Sequence, residues 1–271
     1  MPGAFNALAA RAVAQAGFEA AYISGAATSV SAGVPDVGLL GLEHFCRVIR
    51  EAADASGLPI IADADTGFGE SEMVRRTVVE YARAGAAGLH IEDQVFPKRC
   101  GHLDGKKLLH ERHATEKVAA AAKAAGELTG HLAGFVVCAR TDARGVEGFA
   151  AAVSRSIEYL AAGADMIFPE GLTSEDEFAR FATEVRETVG DCLLLANMTE
   201  FGKTPMISAK RFGEMGYNCV IYPVTLLRTA MGAVSRALAT LKQHGSAEPL
   251  LGQMQTREEL YALIGYVPGV C

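Results

Sequence analysis

Eight short apolar runs, each followed by a longer stretch of helical periodicity, constrain this chain more than any other feature. They occupy residues 3–5, 20–24, 58–65, 88–93, 135–141, 166–170, 193–199 and 219–224. Most are continuously apolar rather than alternating, as expected of strands buried on both faces. Between them, residues 72–84, 114–125, 147–162 and 174–189 carry Ala, Glu, Arg and Lys at helical spacing. Strand and helix repeated eight times predicts an α/β fold, a parallel (β/α)₈ barrel of the TIM type. Gly17, Gly85 and Gly163 each stand where a helix stops just before a strand, and glycine takes the left-handed conformation needed there at little cost.

A chain of 271 residues suits one such barrel, and no shift in composition marks a second domain. Residues 1–271 are therefore read as a single barrel domain. Its C-terminal part, residues 225–271, carries helical patterns at 225–244 and 256–265. The formal net charge is −7, from 25 basic and 32 acidic residues, and no basic run occurs. That excludes a nucleic-acid surface, while a few local cations still suffice to draw an anion into a pocket. No apolar run is long enough to span a bilayer, and the N-terminus has no basic-then-apolar leader, so no membrane partner is expected. Six cysteines without paired spacing read as reduced thiols in a cytoplasmic protein.

In such a barrel the chemistry lies at the carboxyl ends of the strands. Those ends hold Tyr22 and Ser24, Asp63 and Asp65, Glu92 and Asp93, Arg140 and Asp142, Glu170, Asn197 and Thr199, then Tyr222. One such residue alone reads as a helix cap. A ring of them at one end of apolar strands reads as a site, because unpaired buried charge is costly. Asp63 and Asp65, two apart, are expected to face the same way. Like charges so close need a cation, and oxygen ligands without a His or Cys set favour Mg²⁺ or Mn²⁺, with Glu92 nearby. The segment 96–102 places Cys100 among Lys98, Arg99 and His102, and Gly101 and Gly105 let it move. Neighbouring cations tune a thiol's acidity. Arg140, Arg228 and Arg257 are candidates for gripping carboxylates. By position alone, the last two read as surface charges on helices.

These motifs, in this order, resemble the isocitrate lyase/phosphoenolpyruvate mutase superfamily: Ser24-Gly25, Pro35-Asp36, residues 63–69, residues 90–94, Lys98-Arg99-Cys100-Gly101-His102, residues 139–142, 168–170, 196–202, Tyr222-Pro223 and 255–257. The resemblance spans essentially the whole chain. The pentapeptide around Cys100 is similar to the lyase branch, and residues 254–257 with 259–261 are most similar to the methylisocitrate lyases. The resemblance implies Mg²⁺ (or Mn²⁺) held directly by Asp63 and Asp65, and through water by Asp36 and Glu92. It implies an oxo-acid half of the substrate on Ser24, Gly25 and Ala26. The succinate half falls to Cys100, Gly101, Arg140, Glu170, Asn197, Thr199, Arg228 and Arg257. Tyr22 would help deprotonate the substrate hydroxyl, and Cys100, with Lys98 and His102 in a closing loop, would be the acid.

The implied reaction is retro-aldol cleavage of 2-methylisocitrate to pyruvate and succinate, with Phe168 and Val224 walling the methyl group. Residues 103–106 and 224–227 resemble dimethylmalate lyases instead, so a dimethylmalate or isocitrate lyase is the alternative. Mutase, oxaloacetate decarboxylase or hydrolase chemistry is disfavoured because those relatives lack the cysteine. A non-catalytic metabolite-binding barrel would not need carboxylates, arginines and thiol together. The family also implies a homotetramer that exchanges the C-terminal helices between subunits. Relatives carry a helical segment before the first strand, where this sequence starts at Met1-Pro2-Gly3; a less covered first strand is expected.

Overall fold

Seven parallel strands follow one another around the sheet in chain order. The structure is a computed structural model and describes residues 1–101, 103, 105–267 and 269. The strands are β1 (Ala21–Ile23), β2 (Ile60–Asp63), β3 (Gly88–Glu92), β4 (Val136–Thr141), β5 (Met166–Pro169), β6 (Leu193–Asn197) and β7 (Cys219–Ile221). The helices are α1 (Ala7–Gln15), α2 (Gly25–Ser31), α3 (Leu42–Ser56), α4 (Ser71–Arg83), α5 (Glu111–Gly126), α6 (Phe149–Ala161), α7 (Glu175–Val189), α8 (Ala209–Glu214), α9 (Thr225–His244) and α10 (Arg257–Ile264). This is the α/β barrel architecture, with one difference from the eight expected strands. The first apolar run forms no strand.

That run nevertheless occupies the eighth position. Pro2 bridges Tyr222 and Gly3 bridges Tyr22, both in parallel. Gly3 N–H donates to the Tyr222 carbonyl at 2.9 Å, and Tyr22 N–H to the Pro2 carbonyl at 3.0 Å. The segment thus closes the gap between β7 and β1. Its ladder stays short in part because Pro2 has no N–H to give. Gly3 lies so close to Pro223 that an added Cβ would meet the Pro223 carbonyl carbon at 2.6 Å.

Two apolar layers hold the barrel. Between strands and helices lies the larger one, to which α7 contributes Phe178, Phe181, Ala182 and Val185 at helical spacing. Burying each phenylalanine stabilises the fold by about 1.5–3 kcal/mol. Ser174 caps this helix by accepting from Glu177 N–H at 3.1 Å, and three acidic residues fill its first turn. The smaller layer fills the barrel interior with Tyr22, Ile61, Cys138, Met166, Phe168, Leu195 and Ile221. Strand alternation carries the same inward faces upward to polar residues: Ile61 to Asp63, Cys138 to Arg140, Leu195 to Asn197. The register sets Asp63 beside His90 and Glu92 beside Arg140.

Residues 147–148, expected to open a helix, do not. Gly148 adopts φ +101°, outside helical space, so α6 starts at Phe149. Beyond the barrel, α9 leaves Met231, Val234, Leu238 and Leu241 exposed. α10 docks on α1, where Gln15 Nε2 donates to the Leu263 carbonyl at 3.0 Å and Arg11 to that of Ile264. Among the described residues, no helix is long and apolar enough to cross a membrane.

Candidate active site

A cleft opens at the carboxyl ends of the strands. It brings together Tyr22, Ser24, Ala26, Asp36, Asp63, Lys98, Cys100, Gly101, Arg140, Glu170, Asn197, Thr199 and Arg228, with Phe168, Ile221 and Val224 as its apolar wall. Ser24 ends the segment after β1 and caps α2, its Oγ accepting from Ala27 N–H at 3.2 Å. Gly25 N–H donates to Asp63 Oδ2 at 3.0 Å, and a Cβ on Gly25 would fall 2.6 Å from that oxygen. Only glycine lets the backbone approach the carboxylate so closely.

Asp63 and Asp65 do converge, though not by strand alternation. β2 ends at Asp63, and Asp65 lies beyond it in a left-handed conformation at φ +46°, its N–H on Asp63 Oδ1 at 2.9 Å. A tight turn, costing on the order of 1 kcal/mol or more in backbone strain, brings the carboxylates together. Lys98, 3% exposed, binds Asp36 and stands 2.8 Å from Asp65 Oδ1, an ion pair without hydrogen-bond alignment. Burial opposes the charge on Lys98, yet Glu92, Asp65, Asp63 and Asp36 outweigh it and hold its pKa above the ordinary value. Burial, then the Asp63 charge, pushes the Asp65 carboxyl up to about 7. Burial also pushes Glu92 well up, although Arg140 and Lys98 oppose this.

The site therefore holds more buried carboxylates than cations to match them. Asp65 Oδ1 and Glu92 Oε2 are buried without a hydrogen bond. Among the described residues, no three His, Cys, Asp or Glu side chains already surround a common metal position; the Lys98 ammonium stands among them instead. An all-oxygen donor set with orphaned carboxylate oxygens fits a hard divalent cation.

Facing these carboxylates is a side built around two arginines. Arg140, buried, reaches Asp142 Oδ2 at 2.9 Å, Glu92 Oε2 at 3.3 Å and Glu170 Oε2 at 3.6 Å, and lies over the Phe168 ring. Asn197 Nδ2 donates to Glu170 Oε2 at 3.0 Å. Arg228, half-exposed, pairs with Glu200 Oε2 at 3.1 Å and lies over Phe201. The segment bearing Cys100 sits down on this floor: a Cβ on Gly101 would collide with Arg140 and lie 2.6 Å from Glu170 Cγ.

Some expected residues stand elsewhere. Gly25, Asp65 and Glu92 lie behind the cleft surface, where they support Asp63 and Arg140. The structure does not bring Arg257 into the cleft, because α10 docks against Arg11 and Gln15 of α1. His102 lies outside the described residues. Asp93, the residue after Glu92, turns to the opposite face. There it accepts from Thr141 Oγ1 at 2.7 Å and Tyr159 Oη at 2.9 Å, with Arg155 at 3.4 Å.

Sequence reasoning missed His90. It is fully buried, its Nε2 is 2.6 Å from Tyr22 Oη and 3.7 Å from Asp63 Oδ1, and burial lowers its pKa to about 4. Burial raises the Tyr22 pKa, so the two meet as neutral partners. The available signal was spacing: His90 and Glu92, two apart on β3, share the inward face. Lys106 and Glu200 were missed as well, both on loops where a charge reads as surface.

The phosphoenolpyruvate phosphomutase family matches residues 1–242. Among curated proteins, "Probable 2-methylisocitrate lyase 1" of Corynebacterium glutamicum is 51% identical over 98% of this chain and 84% of that protein. The 2-methylisocitrate lyase of Bacillus subtilis is 45% identical over 98% and 84%. Among solved structures, 2,3-dimethylmalate lyase, a PEP mutase/isocitrate lyase superfamily member, superposes with a TM-score of 0.89. It is 38% identical over 97% of this chain and 85% of that one. Phosphonopyruvate hydrolase in complex with oxalate and Mg²⁺ gives a TM-score of 0.84, at 30% identity over 97% and 89%. With the barrel, the carboxylate cluster and these matches in hand, the chain belongs to the phosphoenolpyruvate mutase/isocitrate lyase superfamily.

Proposed function

We propose that this chain is a carbon–carbon lyase that cleaves 2-methylisocitrate to pyruvate and succinate. The observation that carries the reading is that Cys100 lines the same cleft as Tyr22 and Asp63, with its neighbour Gly101 set against Arg140 and Glu170. The two relatives named for this activity support it. In the proposed complex Asp63 and Asp65 would hold Mg²⁺ directly and Asp36 and Glu92 through water, with Mn²⁺ as an alternative ion. When bound, the ion supplies Lewis-acid polarisation of the oxygen that becomes the ketone.

The chain's own residues do the rest. Tyr22 Oη, 2.6 Å from His90 Nε2, would take the proton of the C2 hydroxyl while passing its own to that neutral nitrogen. As the C2–C3 bond breaks, the electron pair passes to C3 and spreads into its carboxylate. Arg140 and Asn197, with Arg228 at the rim, stabilise that charge from a largely buried floor. Cys100 Sγ then gives its proton to C3 and yields succinate, with Lys98 close in the same segment and His102 assigned to support it. Ser24, Gly25 and Ala26 receive the oxo-acid half; Gly101, Glu170, Asn197 and Thr199 line the succinate half. Phe168 and Val224 offer an apolar wall to the C2 methyl. One methyl discriminates by only about 1–3 kcal/mol, so 2,3-dimethylmalate, named for a relative of the same fold, is the second reading.

We also assign the exposed stripe of α9 and the remote Arg257 to a homotetramer, in which the C-terminal helices pack on neighbouring subunits. A panel of methylisocitrate, isocitrate, dimethylmalate and oxaloacetate with Mg²⁺ tests the function. Succinate and pyruvate are expected from methylisocitrate at the highest kcat/KM. A higher kcat/KM on dimethylmalate transfers the assignment to that substrate, and no turnover of any of the four overturns the lyase reading.

A further inference from the structure

Lys106 belongs to none of the residues expected to do chemistry, yet its side chain is only 4% exposed. Its Nζ donates to the Gly101 carbonyl at 2.6 Å and to Asp142 Oδ1 at 2.6 Å. Asp142 also receives Arg140, Nε on Oδ2 at 2.9 Å and Nη2 on Oδ1 at 3.2 Å. One buried carboxylate thus joins the Cys100 segment to the guanidinium that faces the cleft. A buried ammonium is tolerated only when it is both paired and hydrogen-bonded. Asp142 pairs it, and the second acceptor is the backbone next to Cys100. The place of Lys106 and the seating of that segment therefore depend on each other. Gly101 fits only flush against Glu170, so there is one close-fitting seat to be held.

We propose that Lys106 is a positioning residue that latches the Cys100 segment over the cleft, by tying the Gly101 carbonyl to the carboxylate that orients Arg140. Seating the acid and presenting the arginine then become one event, with Asp142 common to both. A substrate carboxylate on Arg140 stabilises the arrangement that also brings the thiol into place. The inference rests on the reading of Cys100 as the acid, and its test separates the two.

Lys106→Met keeps the apolar stem and removes the ammonium, whereas Lys106→Arg keeps a cation that can donate to both acceptors. Full-length protein is treated with iodoacetamide, with and without succinate, and modification is located by peptide mass spectrometry beside turnover measurements. Losing a charge-assisted hydrogen bond is expected to speed Cys100 modification by about tenfold to a hundredfold in Lys106→Met and to weaken the protection given by succinate. The same loss lowers kcat by about tenfold or more with little change in KM, and Lys106→Arg restores part of both. Should Lys106→Met fail to fold, Lys106→Gln, which keeps one donor for Gly101 and loses the charge, is read in its place. Cys100 labelling at the wild-type rate overturns the latch, as does equal acceleration at the buried Cys46 and Cys138, which would mean general loosening. Full turnover by Cys100→Ser would instead remove the acid assignment and leave the labelling result in support of the latch.

Discussion

Arg140 and Lys106 share the carboxylate of Asp142, and this sharing sets what single substitutions near the cleft do. Asp142→Asn leaves two buried cations short of a partner, so a loss of about 3–5 kcal/mol in unfolding free energy is expected near neutral pH. Burial raises the Asp142 pKa, but Arg140 and then Lys106 outweigh it and the net shift is downward. Its stabilisation is therefore full above the ordinary carboxylate range and is lost as pH falls through the lowered folded value. Urea titrations should show the gap between wild type and Asp142→Asn closing below about pH 4; a gap unchanged at pH 3 would contradict this. Gly25→Ala drives a methyl group against Asp63 Oδ2. The variant should fold and yet bind Mg²⁺ far more weakly, as isothermal titration calorimetry would report. Cys100→Ser should keep succinate binding and lose about 10²–10⁴-fold in kcat. Asp63, Glu92 and Arg140 were legible as polar ends of apolar strands. His90 was not, because one histidine inside such a strand reads as core until Tyr22 is known to lie across from it.

Elements were legible wherever a periodic pattern met a strong stop. α9 spans the residues its pattern marks, and α7 begins right after the serine that caps it. The start of α6 shifted because Gly148 adopts a positive φ, a conformation that periodicity does not reveal. α9 also carries Met231, Val234, Leu238 and Leu241, one stripe at spacings of three and four, all exposed on the single chain. A stripe of that kind suits the packing of another chain in the proposed tetramer. Val234→Lys together with Leu238→Lys should lower the mass of the assembly in size-exclusion chromatography with light scattering, while far-UV circular dichroism stays unchanged. A wild-type chain that runs as a monomer would count against the tetramer.

At the scale of the molecule, the barrel closes through four residues at the start of the chain rather than through an eighth full strand. Gly3→Ala should loosen that closure by about 1–3 kcal/mol through overpacking against Pro223, measured as a lower urea midpoint. Val224, next to Pro223, lines the cleft, so a change in KM should accompany it. The chain carries a net charge of −7, and although acids outnumber bases in the cleft too, Lys98, Arg140 and Arg228 gather at its mouth, so an anion meets local cations there. By itself the sequence determined the strand–helix alternation and the polar strand ends, since periodicity and burial cost are local properties of the chain. It also marked out the cysteine loop, whose Lys98, Cys100 and Gly101 line the cleft. Only the tertiary structure decided that Asp65 reaches Asp63 through a left-handed turn and that Arg257 lies away from its own cleft. The joining of Lys106 to Gly101 and Asp142 belongs with these. Each depends on where side chains distant along the chain come to rest, and no spacing in the sequence encodes that.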